Sequence, residues 1–447
     1  MVEFSSNFTF WAAVIIFAAI YGLIITERMD PSAAAISGAV LMIALGVLSQ
    51  DEAFSVRELG VDWNVIFLLV SMMALISMMK PSGIFQYAAI KSVKLGRGDP
   101  LKILYILAVL TAFASSLLDN ITTVLLLIPV TMFIADALET DVMPFLLTEV
   151  FASNIGGTAT LIGDPPNIMI ASKSGLSFMD FLHNLAPAVV VIMAGLLLLI
   201  KFMFGRSLKA PREAQERLMA MDESEAIKDP VLAIKSVIVL ILVLLGFVFQ
   251  ARLGLQPATV AMSGAGLLLV TTGKRDMHRL MADIEWPTIV FFIGLFIIVG
   301  GVVKVGFIKW LSGEMLKATG PNMLKASMFV MFFSAAASSF INNIPFVAAM
   351  NPLVADMARQ LAPGMPAHEA LKSAAIMPVW WSLSLGVCLG GNGTAVGASA
   401  NVIVLGISAK SRKKLSFFRF MLYGVPVTVM SVGIAAIYVW VRYFVMG

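Results

Sequence analysis

Eight apolar runs dominate the sequence, near 8–26, 32–49, 63–80, 184–204, 235–250, 257–272, 286–303 and 422–443. A helix of about 20 apolar residues crosses the roughly 30 Å hydrocarbon core of a bilayer. In lipid, backbone amides and carbonyls must be satisfied within the protein, which leaves helices or closed barrels. Runs this long and continuous read as helices. Hydrophobic types make up 59% of the 447 residues and charged types 13%, against about 45–50% and about 25% in soluble domains. Mean hydropathy is +0.93. These numbers exclude a cytosolic enzyme, a disordered chain and a nucleic-acid binder. The expected fold class is an all-α polytopic membrane protein.

The net charge of +4 fits Lys and Arg held in cytoplasmic loops. With Cys388 as the lone cysteine, no disulfide framework or thiol metal cluster forms within one chain. His183, His278 and His368 lie far apart, without the His-Glu-x-x-His pairing of a zinc protease. Gly273-Lys274 is followed by Arg275 and does not make a phosphate-binding loop. The run from Phe8 to Thr26 lacks a basic leader and reads as a spanning helix, not a signal peptide. No enzyme activity, cofactor or metal site is expected.

Self-comparison divides the chain into two copies of one unit. PSAAAISGA at Pro31–Ala39 matches PATVAMSGA at Pro257–Ala265, and Asp62-Trp63 matches Glu285-Trp286. SSLLDNITTVLLLIPV from Ser115 matches SSFINNIPFVAAMNPL from Ser338, and GGTATLIGDPPN from Gly156 matches GGNGTAVGASAN from Gly390. The expected division is 1–204 for the first repeat, 205–234 for a charged cytoplasmic linker and 235–447 for the second repeat.

Five crossings plus one re-entrant hairpin per unit, over about 101–137 and 321–356, place 21 of the 31 basic residues on one side. They include Arg28, Lys80–Lys102, Lys201–Lys235, Lys274, Arg275, Arg279 and Lys410–Arg419. Six crossings per unit split the two richest loops across opposite faces, so the first arrangement better obeys the positive-inside rule. Five is odd, so the second copy is inverted and both termini face out. Lys304, Lys309, Lys317 and Lys325 are the main misfit. Inverted repeats with paired broken helices mark secondary transporters, whose sites lie near mid-membrane.

The polar breaks locate that site. Asp119-Asn120-Ile121-Thr122 interrupts an apolar run, where an ionised Asp costs at least about 2.5–3.5 kcal/mol. A turn at a hairpin tip accommodates both Asp and Asn. The second copy repeats it as Asn342-Asn343-Ile344-Pro345. Gly156 to Asn167 holds Pro165-Pro166 and three glycines and is expected to unwind into two half-helices. Its mate, Gly390 to Gly397, breaks through glycine. Unwound links expose carbonyls, and half-helix ends present partial charges. Asp119 and Asp164 have Asn342 and Ala398 as mates, and they are the candidates for proton coupling. No Lys or Arg falls within the breaks, which suits a neutral hydroxylated solute or a hard cation; an anion would need amides, helix N-termini and co-bound cations.

DNITTVLLLIPVT (Asp119–Thr131), SNIGGTATLIGDPPNIMI (Ser153–Ile170) and SFINNIPFVAAMNPLV (Ser339–Val354) resemble the ion transporter superfamily, nearest its ArsB/NhaD branch, which includes the melanosomal P protein. The resemblance implies an elevator-type homodimer of inverted repeats. The scaffold would span about 1–100 and 235–320, and the mobile transport domain about 101–204 and 321–447. It also implies that Asn120, Thr122, Gly157, Thr158, Thr160, Asn342, Asn343, Asn392, Gly393 and Thr394 surround the solute, with Asp119 and Asp164 beside them. Branches carry arsenite or antimonite, exchange sodium for protons, or move carboxylates.

The expected function is proton-coupled efflux of arsenite or antimonite across the cytoplasmic membrane, since neutral arsenous acid presents hydroxyls to Asn, Thr and backbone groups. The alternatives are a sodium/proton antiporter, a carboxylate or anion transporter, and a channel. An aspartyl protease would need Gly-x-Gly-Asp, and Leu161 breaks that pattern. Expected partners are the lipid bilayer, a small polar solute or ion and a second copy of the chain. A cytoplasmic ATPase subunit stays open.

Overall fold

Asp followed by Pro begins three of the long helices. Asp30 accepts from the amides of Ser32 and Ala33, Asp99 from Leu101 and Lys102, and Asp229 from Leu232. Each carboxylate satisfies orphan amides while proline occupies the first helical turn. The structure, a computed structural model, describes residues 8–446 except 27, 56–58, 207, 221, 274–276, 321 and 409–414; the side chains of 277–279 are also outside it. Lys274, Arg275, Lys410, Arg412, Lys413, Lys414 and the side chains of His278 and Arg279 therefore lie outside the described residues.

Among the described residues there is no strand, and nine helices are long and apolar enough to cross a membrane. One order of elements occurs twice. Phe8–Ile25, Pro31–Ala44, Trp63–Met79 and Ile84–Leu95 lead to a helical hairpin, Pro100–Leu117 and Asn120–Ala137. A broken helix, Met143–Gly157 and Pro165–Ser174, and a long helix, Phe178–Phe204, complete the unit. The second unit runs through Pro230–Leu253, Pro257–Thr272, Trp286–Lys304 and Phe307–Thr319. Its hairpin is Met323–Phe340 with Asn343–Leu361, its broken helix Met377–Gly390 with Ser399–Ser408, and its last long helix Phe417–Trp440.

Several helices differ from the apolar runs. Phe178–Phe204 starts before residue 184 because Ser177 and Asp180 form a reciprocal capping box. Phe417–Trp440 likewise starts early, with Ser416 accepting from the Arg419 amide. Pro31–Ala44 stops short of residue 49 because Gly46 turns the chain with φ +69°. Ile84–Leu95 and Phe307–Thr319 were not among the expected elements; they are shorter helices with mixed apolar and basic faces.

The first helices of the two units interlock. Trp286–Lys304 packs on Pro31–Ala44, and Trp63–Met79 packs on Pro257–Thr272. A Cβ on Gly294 would stand 2.6 Å from the Ala35 carbonyl carbon. The hairpins and broken helices form a second group, in which Met143–Gly157 lies on Pro100–Leu117 and Met377–Gly390 lies on Met323–Phe340. Gly156 faces the Ala112 carbonyl, and a Cβ on Gly390 would stand 2.5 Å from the Ala335 carbonyl oxygen. These contacts let hairpin and broken helix meet backbone to backbone.

The charged linker docks along the first unit. The Lys228 amide donates to the Ser82 carbonyl at 3.0 Å, Glu223 pairs with Lys94, and Arg217 pairs with Glu139 at 2.5 Å. Elsewhere, Lys304 pairs with Glu52 at 2.7 Å across the two units. The Lys304 ammonium holds the Glu52 carboxyl below its usual range. The stabilisation from this pair is present above the ordinary carboxyl pKa and is lost as pH falls through the lowered one.

The glycine contacts predict a stability effect. Gly390→Val forces Met377–Gly390 away from Met323–Phe340 and should lower stability by about 1–3 kcal/mol, read as a lower unfolding midpoint of the detergent-purified protein. Gly22, with nothing within 4 Å of its Cβ position, is the control: Gly22→Ala should unfold like wild type. Equal midpoints for all three proteins would refute the close approach.

Candidate transport site

The site is built from two hairpin tips and two helix breaks. At the first tip, Asp119 caps Asn120–Ala137, accepting from the Thr122 amide at 2.8 Å and the Thr122 hydroxyl at 2.5 Å. Both partners of this pair are thereby used within the turn. Asn120 lies one residue further in, and its amide donates to Asp164 Oδ1 at 3.3 Å and to Asn154 Oδ1 at 3.2 Å. At the second tip, Asn342 caps its helix through the Ile344 amide and donates to Ser399 Oγ at 3.1 Å. Asn343, the mate of Asn120, reaches Asp164 Oδ1 at 3.2 Å.

Asp164 stands at the N-cap position of Pro165–Ser174 but makes no capping bond. It is fully buried and held by amides from both hairpins. Buried charges need partners, and among the described residues no Lys or Arg side chain is bonded to it. Asn154 extends the network, donating to Asn392 Oδ1 at 2.8 Å and Asn401 Oδ1 at 3.0 Å. The continuous path Asn343–Asp164–Asn120–Asn154–Asn392 joins both tips and both breaks.

The breaks are closed by their own side chains. Gly157 and Gly163 face each other so tightly that a Cβ on Gly163 would stand 2.6 Å from the Gly157 oxygen. Asn167 donates to the Thr158 and Thr160 carbonyls at 3.1 and 2.9 Å. Asn401 does the same at Gly391 and Thr394, at 2.7 and 2.8 Å. Thr158 donates to the Asn154 carbonyl, Thr160 to Ser116 and Thr394 to Ser339, so these hydroxyls anchor backbone. Gly393 packs against Ser339 and Gly424. Of the residues expected to surround a solute, Asn120, Asn343 and Asp164 meet directly, and Asn392 joins through Asn154. Thr122, Thr158, Thr160 and Thr394 serve local backbone or caps.

Asn154, Asn167 and Asn401 are further network residues that were not singled out from sequence. Asn154 carried a signal, being an amide inside an apolar helix, where polar groups demand partners. Among the described residues no three His, Cys, Asp or Glu side chains converge as a metal site. A cation here would draw on Asp164 with amide and carbonyl oxygens.

Two cavities flank this network. One, about 530 Å³, lies between the second tip and the first helices, lined by Asn342, Ser399, Asp30, Ser32, Glu285 and Thr288. The other, about 630 Å³, is lined by Val65, Leu68, Ile168, Pro257, Gln256 and Lys372. Repeat mates recur in the two linings: Val65 and Thr288, Leu68 and Phe291, Ile168 and Val402, Pro257 and Pro31. The cavity bearing Asp30 and Glu285 is acidic.

Asn154→Leu should leave Asn392 Oδ1 and Asn401 Oδ1 without their donor and remove one of the two acceptors of the Asn120 amide. Each buried group left unsatisfied costs about 1–3 kcal/mol, so the unfolding midpoint should fall well below that of wild type in detergent. An unchanged midpoint would show that Asn154 does not join the two breaks.

The family profile described as "Citrate transporter" (CitMHS) matches residues 21–386. An uncharacterized transporter of Mycobacterium tuberculosis, Rv2684, is 43% identical, covering 97% of this chain and 99% of its own. The P protein of Mus musculus is 30% identical, covering 98% of this chain and 60% of its own length. Among solved structures, the YdaH transporter of Alcanivorax borkumensis aligns with a TM-score of 0.58 at 14% identity, covering 97% of this chain and 98% of its own. The Neisseria gonorrhoeae protein MtrF aligns with a TM-score of 0.55 at 11% identity, covering 97% and 96%. The last two likenesses concern fold alone. With the profile covering most of its length, this polytopic membrane protein belongs to the citrate transporter family, and it is a membrane transporter.

Proposed function

We propose that the protein is a secondary active transporter of the cytoplasmic membrane that moves a small carboxylate together with protons or sodium. The observation that carries this is Asp164, a buried carboxylate gripped by Asn120 and Asn343 from opposite hairpins, with no Lys or Arg among the described residues bonded to it. Such a group suits a mobile cation, which neutralises it and loosens the grip of both tips. The family match supports a carboxylate as the solute. The acidic cavity requires that a polycarboxylate arrive with its charge offset by protons or bound cations.

Arsenite or antimonite is the second reading. It is favoured by the amide network, to which no Lys or Arg among the described residues is bonded and which can hydrogen-bond neutral hydroxyls.

The two units are inverted, the first helices forming the scaffold and the hairpins with broken helices the moving domain. Contacts between loops support this. Linker residues Arg217 and Glu223 meet Glu139 and Lys94, all assigned to the cytoplasmic side. Glu52 meets Lys304, and Gly175 approaches Lys372, all assigned outside. The two repeat-related cavities then open on opposite sides, as alternating access requires.

Two experiments test the proposal. In proteoliposomes offered citrate, arsenite or sodium, with and without a pH gradient, citrate uptake should saturate and respond to the gradient. Asp164→Asn should reduce it about tenfold or more, equivalent to about 1.4 kcal/mol. Arsenite movement alone selects the second reading, sodium/proton exchange alone selects an antiporter, and gradient-independent, unsaturable flux selects a channel. For topology, in a Cys388→Ser background, an impermeant maleimide added to intact cells should label Asn322→Cys and Lys372→Cys but not Arg97→Cys or Glu216→Cys. Labelling of all four from one side would refute inversion.

A further inference from the structure

The two units differ at one buried place that neither tip nor break includes. Hairpin and broken helix align through matched contacts: Ser115 donates to the Ser153 carbonyl as Ser338 does to Val387, and Gly156 faces Ala112 as Gly390 faces Ala335. In that alignment Thr131 and Glu149 correspond to Val354 and Leu383. All four side chains are fully buried. In the second unit two apolar side chains fill the position; in the first, the Thr131 hydroxyl donates to Glu149 Oε1, and Glu149 Oε2 has no partner.

Packing does not require this pair, because the same architecture closes with Val and Leu. A buried acid with an unpartnered oxygen is unfavourable, so its retention calls for a role. Glu149 lies on the face of Met143–Gly157 that also carries Ser153, one helical turn on, whose hydroxyl donates to the Asn120 carbonyl. It stands roughly 7.5 Å along the helix axis from Asn154. The six helices packed on Met143–Gly157 carry Lys102, Asp136, Asp180, His183, Lys201, Arg419 and Tyr438 toward their ends, and Tyr105, Cys388 and Tyr423 further in. None of these is hydrogen-bonded to Glu149, which is bonded through Oε1 to the Thr131 hydroxyl.

We propose that Glu149, oriented by Thr131, is a proton-binding site of the moving domain, distinct from Asp119 and Asp164. On loading, an O–H bond of hydronium breaks as one forms at Oε2, leaving water. On release, that bond breaks and water takes the proton, with no change of oxidation state. Thr131 is a positioning residue that holds Oε1 and leaves Oε2 free. The proposal goes beyond the choice of solute, since a proton site here serves any of the solutes considered above.

The test is infrared difference spectroscopy of the full chain reconstituted in bilayers and cycled in pH. Wild type should gain and lose a carboxylic-acid carbonyl band that is absent in Glu149→Gln, displaced in Thr131→Val and retained in Asp119→Asn. The double variant Glu149→Leu with Thr131→Val, copying the second unit, should fold with an unfolding midpoint no lower than wild type and lack the band. A band unchanged in Glu149→Gln, or a double variant that fails to fold, overturns the proposal. In proteoliposomes loaded with citrate, Glu149→Gln should keep citrate–citrate exchange within about twofold of wild type and lose accumulation driven by a pH gradient; unimpaired accumulation also overturns it. If wild type moves no citrate, the carboxylate reading fails while the infrared result still decides the role of Glu149.

Discussion

A buried carboxylate held by amides from both hairpins is the constraint around which the molecule is arranged. Asp164 stands where the first broken helix resumes, and the prolines that follow it start that half-helix without its help. Its oxygens are therefore available to Asn120 and Asn343. Since the two asparagines come from different hairpins, one side chain ties both tips together. In the proposed mechanism a mobile cation at Asp164 would compete with those amides, which would link ion binding to the geometry of the tips.

The duplicated architecture delivers this arrangement and departs from it at a few residues. Gly156 and Gly390 let each broken helix touch its hairpin, and Asn167 and Asn401 occupy the unwound carbonyls in each half. The departures are chemical. Asp164 faces Ala398 as its mate, Asn154 faces Cys388, and Glu149 faces Leu383. All three polar members lie in the first unit, so a nearly symmetric frame carries an asymmetric set of charged and amide groups. The linings of the flanking cavities also differ, with Asp30 and Glu285 at one and Asp180, Gln256 and Lys372 at the other.

Much of this frame was legible in the sequence because it is written in local chemistry. Apolar length marked the long helices, Asn and Asp in an apolar run marked the tips, and Pro165-Pro166 with its glycines marked the first break. Partner choice was not legible. Thr158, Thr160 and Thr394 looked equally suited to a solute, yet their hydroxyls end on backbone because each break must tie itself to its own hairpin. The role of Asn154 is not legible either, because nothing local indicates that one amide will bridge two half-molecules. The docked linker was also hidden, since its charged composition reads as solvated until Gly83, at φ +83°, lets the Ala226 carbonyl approach.

The most direct measurement of the central claim is a double-mutant cycle on unfolding stability between Asn120→Ala and Asn343→Ala, repeated in an Asp164→Asn background. Two amides sharing one carboxylate should be coupled, by about 0.5–3 kcal/mol, and the coupling should shrink when Asp164 is replaced. Strict additivity of the two substitutions in both backgrounds would contradict the account, because the hairpin tips would then not be joined through Asp164.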